Sequence, residues 1–187
     1  MRKILCTTLA LLGVVSAGLS GGKCPQVKLQ ENFDVSKYLG TWFEQARDLM
    51  MPWEHGDCQQ AHYSLNADGT LKVYNTEFDA RQGKVVGQEG KATCDGPACK
   101  VSFFEGAPAG DYRVLATDYT NYSVVYSCTE LLGLGKSEFV WLLTRAQDLS
   151  EEIQGRARAV LAEQIPEYSL EQNIYRTFQG GSCQYLQ

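Results

Sequence analysis

In Gln60-Ala-His-Tyr-Ser-Leu-Asn-Ala-Asp-Gly-Thr-Leu-Lys-Val-Tyr-Asn-Thr-Glu-Phe78, two alternating apolar and polar runs flank Asn66-Ala-Asp-Gly69. Alternation with a period of two is the mark of a strand with one buried face, and an Asp-Gly turn joins two such strands as a hairpin. The same rhythm continues on both sides. It predicts strands at 38–47, 60–65, 70–78, 85–92, 100–104, 112–117, 122–128 and 138–145. The breaks between them are turn sequences: Arg81-Gln-Gly83, Asp95-Gly-Pro97, Gly106-Ala-Pro-Ala-Gly110 and Gly133-Leu-Gly135. One segment departs from the strand rhythm. Ser150 is a helix cap followed by two acidic residues, and Ile153, Ala157, Val160 and Leu161 recur on one face until Pro166. A last short strand is expected at 173–178. The fold class is all-β, an eight-stranded antiparallel up-and-down barrel with one C-terminal helix packed outside; a β-sandwich is the alternative. Eight strands is also the size at which a barrel encloses one small ligand.

The 187 residues carry a formal charge of −5 and 44% hydrophobic side chains, which suits one folded globular domain. The acidic balance argues against a nucleic-acid partner, since phosphate binding needs clustered Lys and Arg. Residues 1–17 have a basic start (Arg2, Lys3), an apolar run from Ile4 to Val15 and a small-residue end, Val15-Ser16-Ala17, which reads as a secretory signal peptide. Residues 18–187 are then the single mature domain. Loss of Arg2 and Lys3 leaves 15 basic against 22 acidic residues, a charge of −7. Cys6 leaves with the leader, and six cysteines remain in an exported chain: Cys24, Cys58, Cys94, Cys99, Cys128 and Cys183. An even set in that setting implies disulfides, and six allow about 15 pairings. No zinc spacing completes four ligands, so no metal is expected.

Three segments are more specific. Gly40-Thr-Trp42 opens the first strand, Thr117-Asp-Tyr119 with Asn121-Tyr122 makes the turn between the sixth and seventh, and Arg145 ends the eighth. Together they resemble the lipocalin family. Within it the stretches 32–40, 58–65 and 115–122, with Val125-Tyr-Ser-Cys128, look most like the group of apolipoprotein D, insect bilin-binding proteins and crustacyanins. The resemblance implies that Arg145 lies over Trp42 and closes the barrel floor with Gly40, Thr117 and Asp118, a structural role. It implies the disulfides Cys24–Cys128 and Cys58–Cys183; Cys94 and Cys99 are extra to the resemblance, and their separation suits a local staple across the turn between the fourth and fifth strands. It implies ligand contacts at Tyr63, Asn75, Tyr112 and Trp141. Alternation adds Val73, Val114 and Phe139, then Phe103, and carries Glu44 and Ala46 inward above Trp42. The result is an aromatic, mostly apolar cup with a few polar groups.

In the loop after the first strand, Leu49, Met50, Met51 and Trp53 put an apolar cluster where solvent is expected. That points to a cap on the cup, a membrane or lipoprotein contact, or an interface for homo- or hetero-oligomers. Gly133-Leu-Gly-Lys-Ser137 is no phosphate loop, because Glu130 takes the place of its first glycine and the segment joins two strands rather than a strand to a helix. With two histidines, His62 facing outward beside Tyr63 and His55 in the loop, and no Gly-x-Ser-x-Gly, no catalytic residues are assigned. Asn121-Tyr-Ser123 is an N-glycosylation acceptor sequence. The expected function is transport of a small hydrophobic ligand (bilin, carotenoid, sterol or fatty acid) with no catalytic cofactor. The alternatives are a pigment-protein subunit assembling through the barrel mouth, or a lipid isomerase.

Overall fold

The computed structural model describes residues 19–186 other than 55, 107, 133 and 134. The leader expected over 1–17, His55 and Gly133 lie outside the described residues. In chain order the elements are β1 (Leu19–Ser20), α1 (Val35–Tyr38), β2 (Gly40–Asp48), β3 (Gln60–Leu65), β4 (Leu71–Asp79), β5 (Lys84–Asp95), β6 (Ala98–Ser102), β7 (Gly110–Thr117), β8 (Tyr122–Leu131), β9 (Gly135–Thr144), α2 (Glu151–Gln164), α3 (Leu170–Asn173) and β10 (Ile174–Arg176).

From β2 to β9 each strand pairs antiparallel with the next, and β9 returns to pair with β2 from Phe43↔Thr144 to Arg47↔Trp141. That last pairing closes the sheet and rules out two open sheets face to face. Closure leaves each strand with its hydrogen bonds met on both sides, the condition an isolated edge lacks. Short strands β1 and β10 continue the sheet beside β9 and β2. The hairpin at Asn66 forms as its sequence dictates: Gly69 takes φ +81°, a conformation a side chain would strain, and donates to the Asn66 carbonyl.

Two apolar cores result from the alternation. One fills the lower lumen with Trp42, Ala61, Tyr63, Leu71, Val73, Ala92, Val114, Val125 and Leu143. The other lies between the outer face of β8 and β9 and helix α2, with Val124, Tyr126, Val140 and Leu142 against Ala157, Leu161 and Ile165. Ser150 caps α2 by accepting from the Ile153 N–H, and Glu151 and Glu152 fill its first turn. A 14-residue helix is marginal alone, so this buried face is what holds it.

Three expectations are corrected. The last strand is shorter than 173–178, because Leu170–Asn173 forms a helical turn and β10 ends at Arg176. Met51 is not a surface residue but 3% exposed. Ala46 does not face the lumen. The register of β2 against β9 shifts between Glu44 and Ala46, and this bulge adds one residue and inverts the alternation beyond it. Ala46 therefore packs outside with Leu142 and Ile174, in a small pocket of about 60 Å³ under α2, while Arg47 turns inward opposite Trp141.

Candidate functional site

The floor of the lumen is built at the start of β2. Trp42 is 0% exposed, its indole N–H donates to the Tyr38 carbonyl at 2.8 Å, and the Arg145 guanidinium lies 3.7 Å above its ring. Arg145 also donates to the carbonyls of Lys37, Tyr38, Leu39, Thr41 and Tyr119. Gly40, at φ +93°, lets the chain pass under that guanidinium, which would lie 3.4 Å from an added Cβ. Thr117 and Asp118 hold the adjoining turn: the Thr117 hydroxyl donates to the Tyr122 carbonyl, and Asp118 Oδ1 accepts from the N–H groups of Thr120, Asn121 and Tyr122. The Asn121 carboxamide is turned onto Asp118 Oδ2 at 2.8 Å.

Above the floor sits a shelf of three phenols. Tyr38 reaches in from α1, and its hydroxyl meets those of Tyr112 (2.9 Å) and Ser123 (2.8 Å); Tyr63 meets Tyr112 at 3.0 Å. Burial pushes the Tyr38 phenol up to about 12 and raises Tyr63 and Tyr112 further, so the shelf stays neutral. From the shelf a column of rings climbs one wall. Tyr112 and Trp141 lie 6.4 Å apart, Trp141 and Phe139 6.3 Å, and Phe139 meets Trp53 of the mouth loop edge-on at 5.3 Å. Val73 and Val114 line the lower wall and are buried. Phe103 lies over Gly90, where an added Cβ would meet its ring at 2.7 Å. Asn75 faces the lumen from its place opposite Ala61, and its buried Oδ1 has no hydrogen-bond partner. Asn75, Phe103, Tyr112 and Trp141 are only partly buried and retain some accessible surface.

Beside Trp141 is a polar cluster. Glu44 and Arg47, both nearly buried, pair at 2.8 Å; Arg47 also lies 4.4 Å over the Tyr175 ring, and the Thr177 hydroxyl donates to Glu44. The mouth loop supplies Glu54, whose carboxyl accepts from the Trp141 indole at 3.0 Å. Burial raises the Glu54 carboxyl far above the carboxylate range, and the neighbouring Glu44 charge adds to this. The loop is therefore a cap folded into the mouth, not a free surface segment. Met51 is buried, Trp53 rests on Phe139, and Gly56 N–H and the Gln59 carboxamide donate to Glu77 on β4. Leu49 and Trp53 remain more than half exposed.

The structure brings Tyr63, Asn75, Tyr112, Trp141, Val73, Val114, Phe139, Phe103 and Glu44 to one lumen and sends Ala46 out of it. Sequence reasoning missed Tyr38, Arg47, Glu54 and Thr177. A carboxylate directly after the apolar stretch 49–53 was the available signal for Glu54; nothing in the alternation announces the bulge that turns Arg47 inward. His62 faces outward, with its Nδ1 3.0 Å from the Thr41 hydroxyl. Three disulfides staple the frame, Cys24–Cys128, Cys58–Cys183 and Cys94–Cys99. Among the described residues no cluster of His, Cys, Asp or Glu could hold a metal ion.

A closed up-and-down barrel with a Trp–Arg floor, an aromatic lumen and an external helix defines a single-barrel, cup-shaped protein. Residues 33–172 match the family described as Lipocalin-like domain, and the chain belongs to the lipocalin family. Rabbit (Oryctolagus cuniculus) apolipoprotein D is 41% identical over 150 residues, 76% of this chain and 79% of that protein. Lobster apocrustacyanin A1 shares the fold with a TM-score of 0.76 at 22% identity, over 90% of this chain and 95% of the other. Insecticyanin from the tobacco hornworm Manduca sexta does so with 0.75 at 24% identity, over 91% and 94%.

Proposed function

We propose that this lipocalin is a secreted carrier that holds one small hydrophobic molecule in the upper lumen. The observation that carries the reading is the ring column Tyr112–Trp141–Phe139, of which Tyr112 and Trp141 keep some accessible surface, rising from a neutral, hydrogen-bonded tyrosine shelf. Such walls hold a flat or elongated guest by area, with few polar contacts to orient it. Burying about 300 Å² of apolar ligand surface contributes roughly 7 kcal/mol before association costs, so aromatic and polar contacts must add to area for tight binding. Bilins, carotenoids, sterols and fatty acids all have the required shape. The six cysteines of the mature chain are paired, which favours a carrier over a thiol enzyme. Secretion rests on the leader at 1–17 and on those disulfides, and Asn121 is the proposed glycan acceptor.

A second role at the mouth rests on exposed side chains. Leu49, Trp53, Phe104 and Leu132 all sit on open-end loops and are more than half exposed. We assign them to contact with a lipid surface or a second copy. Titration with all-trans-retinol, read through its own emission, tests the carrier reading. Trp141→Ala is expected to weaken binding about tenfold or more, while the outward, exposed-face change Lys72→Ala leaves it unchanged. Equal affinity in Trp141→Ala and the parent refutes a lumen site.

A further inference from the structure

The polar cluster at Trp141 is a seat with a defined donor and acceptor pattern. Glu54 hangs into the lumen from the mouth loop. Its carboxyl accepts from the Trp141 N–H at 3.0 Å, and the Glu44 charge beside it helps hold its proton on. Two carboxyls so placed share one proton, so the seated group accepts from the indole and donates to Glu44. Glu44 is fixed on its other side by Arg47 at 2.8 Å and by the Thr177 hydroxyl. Arg47 is spent on Glu44, Thr177 and the Tyr175 ring. Arg145 is spent on Trp42 and backbone carbonyls at the floor. Among the described residues, the seat therefore offers one N–H donor and one carboxylate acceptor, with no unspent cation beside it. Further round the wall, Asn75 presents its buried, unpartnered oxygen to the same lumen.

A hydroxyl meets this pattern, accepting from Trp141 while donating to Glu44. An ionised carboxylate accepts but has no proton to give, and it would face the Glu44 charge in a low-dielectric site. We propose that Glu54 holds the seat of the guest's polar end, and that the guest is a neutral hydrophobe ending in a hydroxyl, which displaces the Glu54 carboxyl from Trp141 and Glu44. This deepens the carrier reading and rests on it. The loop is built for the exchange. Its far half is anchored through Gly56 and Gln59 to Glu77, whereas the near half reaches the lumen through Glu54, the buried Met51 and the half-exposed Trp53.

All-trans-retinol and all-trans-retinoic acid share a skeleton and differ at the polar end. Both are titrated at neutral pH into the mature, disulfide-intact chain, read by quenching of protein fluorescence. Retinol is expected to bind about tenfold or more tighter than retinoate. Glu54→Ala, which removes the competitor, is expected to tighten retinol severalfold and to leave retinoate weak, because Glu44 remains. Glu54→Gln still accepts from Trp141 and donates to Glu44, so its retinol affinity stays at the parent value and guards against a folding artefact in the alanine variant. Retinoate binding as tightly as retinol overturns the inference while leaving the carrier reading intact. So does weaker retinol binding in a folded Glu54→Ala. Failure of both probes to bind overturns the carrier reading and this inference with it.

Discussion

Replacing Arg145 with alanine should remove the closure of the barrel floor, and the structure bounds the cost. The guanidinium lies 3.7 Å over Trp42, a partly desolvated cation–π stack that contributes about 1–2 kcal/mol. The same group donates to carbonyls of Lys37, Tyr38, Leu39, Thr41 and Tyr119, tying α1, the start of β2 and the turn after β7 to the end of β9. A hydrogen bond from a charged donor contributes about 1.5–3 kcal/mol net. The site is partly exposed, so water takes over some of these carbonyls, and roughly one full bond is lost. The total is about 3–5 kcal/mol, a large part of a domain's usual stability of about 5–15 kcal/mol. Guanidinium chloride unfolding of the disulfide-intact protein, followed by tryptophan emission and far-ultraviolet circular dichroism, measures it. Arg145→Lys keeps the charge but loses the planar fork, and should cost about half as much. A loss below about 1 kcal/mol in Arg145→Ala would refute the account of the floor as a single guanidinium-centred cap.

Glu54 gives the pH dependence its sign. Its carboxyl is raised from 4.5 to about 8, so the folded protein holds more protons than the unfolded chain, and stability falls as pH rises through that window. The slope is at most about 1.4 kcal/mol per pH unit, and unfolding free energies of Glu54→Gln across the window should be flatter than those of the parent. Among the disulfides, loss of Cys94–Cys99, five residues apart, should cost about 2 kcal/mol. Loss of Cys24–Cys128, 104 residues apart, should cost about 5 kcal/mol, both read by chemical denaturation of Cys→Ala pairs. Ala46→Glu should cost about 1–3 kcal/mol of stability by putting a charge under α2 while leaving retinol affinity unchanged, and a loss of binding without destabilisation would place residue 46 back in the lumen.

Much of the barrel was legible because its cause is local. Each strand carries its own alternation and each turn its own Gly, Asp or Pro, so β3 was delimited to the residue and the others to within a few. The cap of α2 was equally readable, since Ser150 and the acidic first turn act on the nearest N–H groups. Tyr63, Asn75, Tyr112, Phe139 and Trp141 reach one lumen by parity along regular strands. Parity failed at Ala46 because a bulge depends on the pairing of β2 with β9, whose partners are about 100 residues apart in the chain. The extra residue has no mark of its own in Glu44-Gln-Ala-Arg47.

The chain's order of residues alone set the hairpins, the helix, the apolar inner face and the cysteines available for pairing, since each follows from short-range preferences and from which side chains avoid water. Only closure of the barrel settled which way Arg47 points, that Tyr38 enters the floor, and that the mouth loop folds back to seat Glu54 on Trp141. Those contacts join residues far apart along the chain, and their energies exist only once the ring is shut and water is excluded from the space between them.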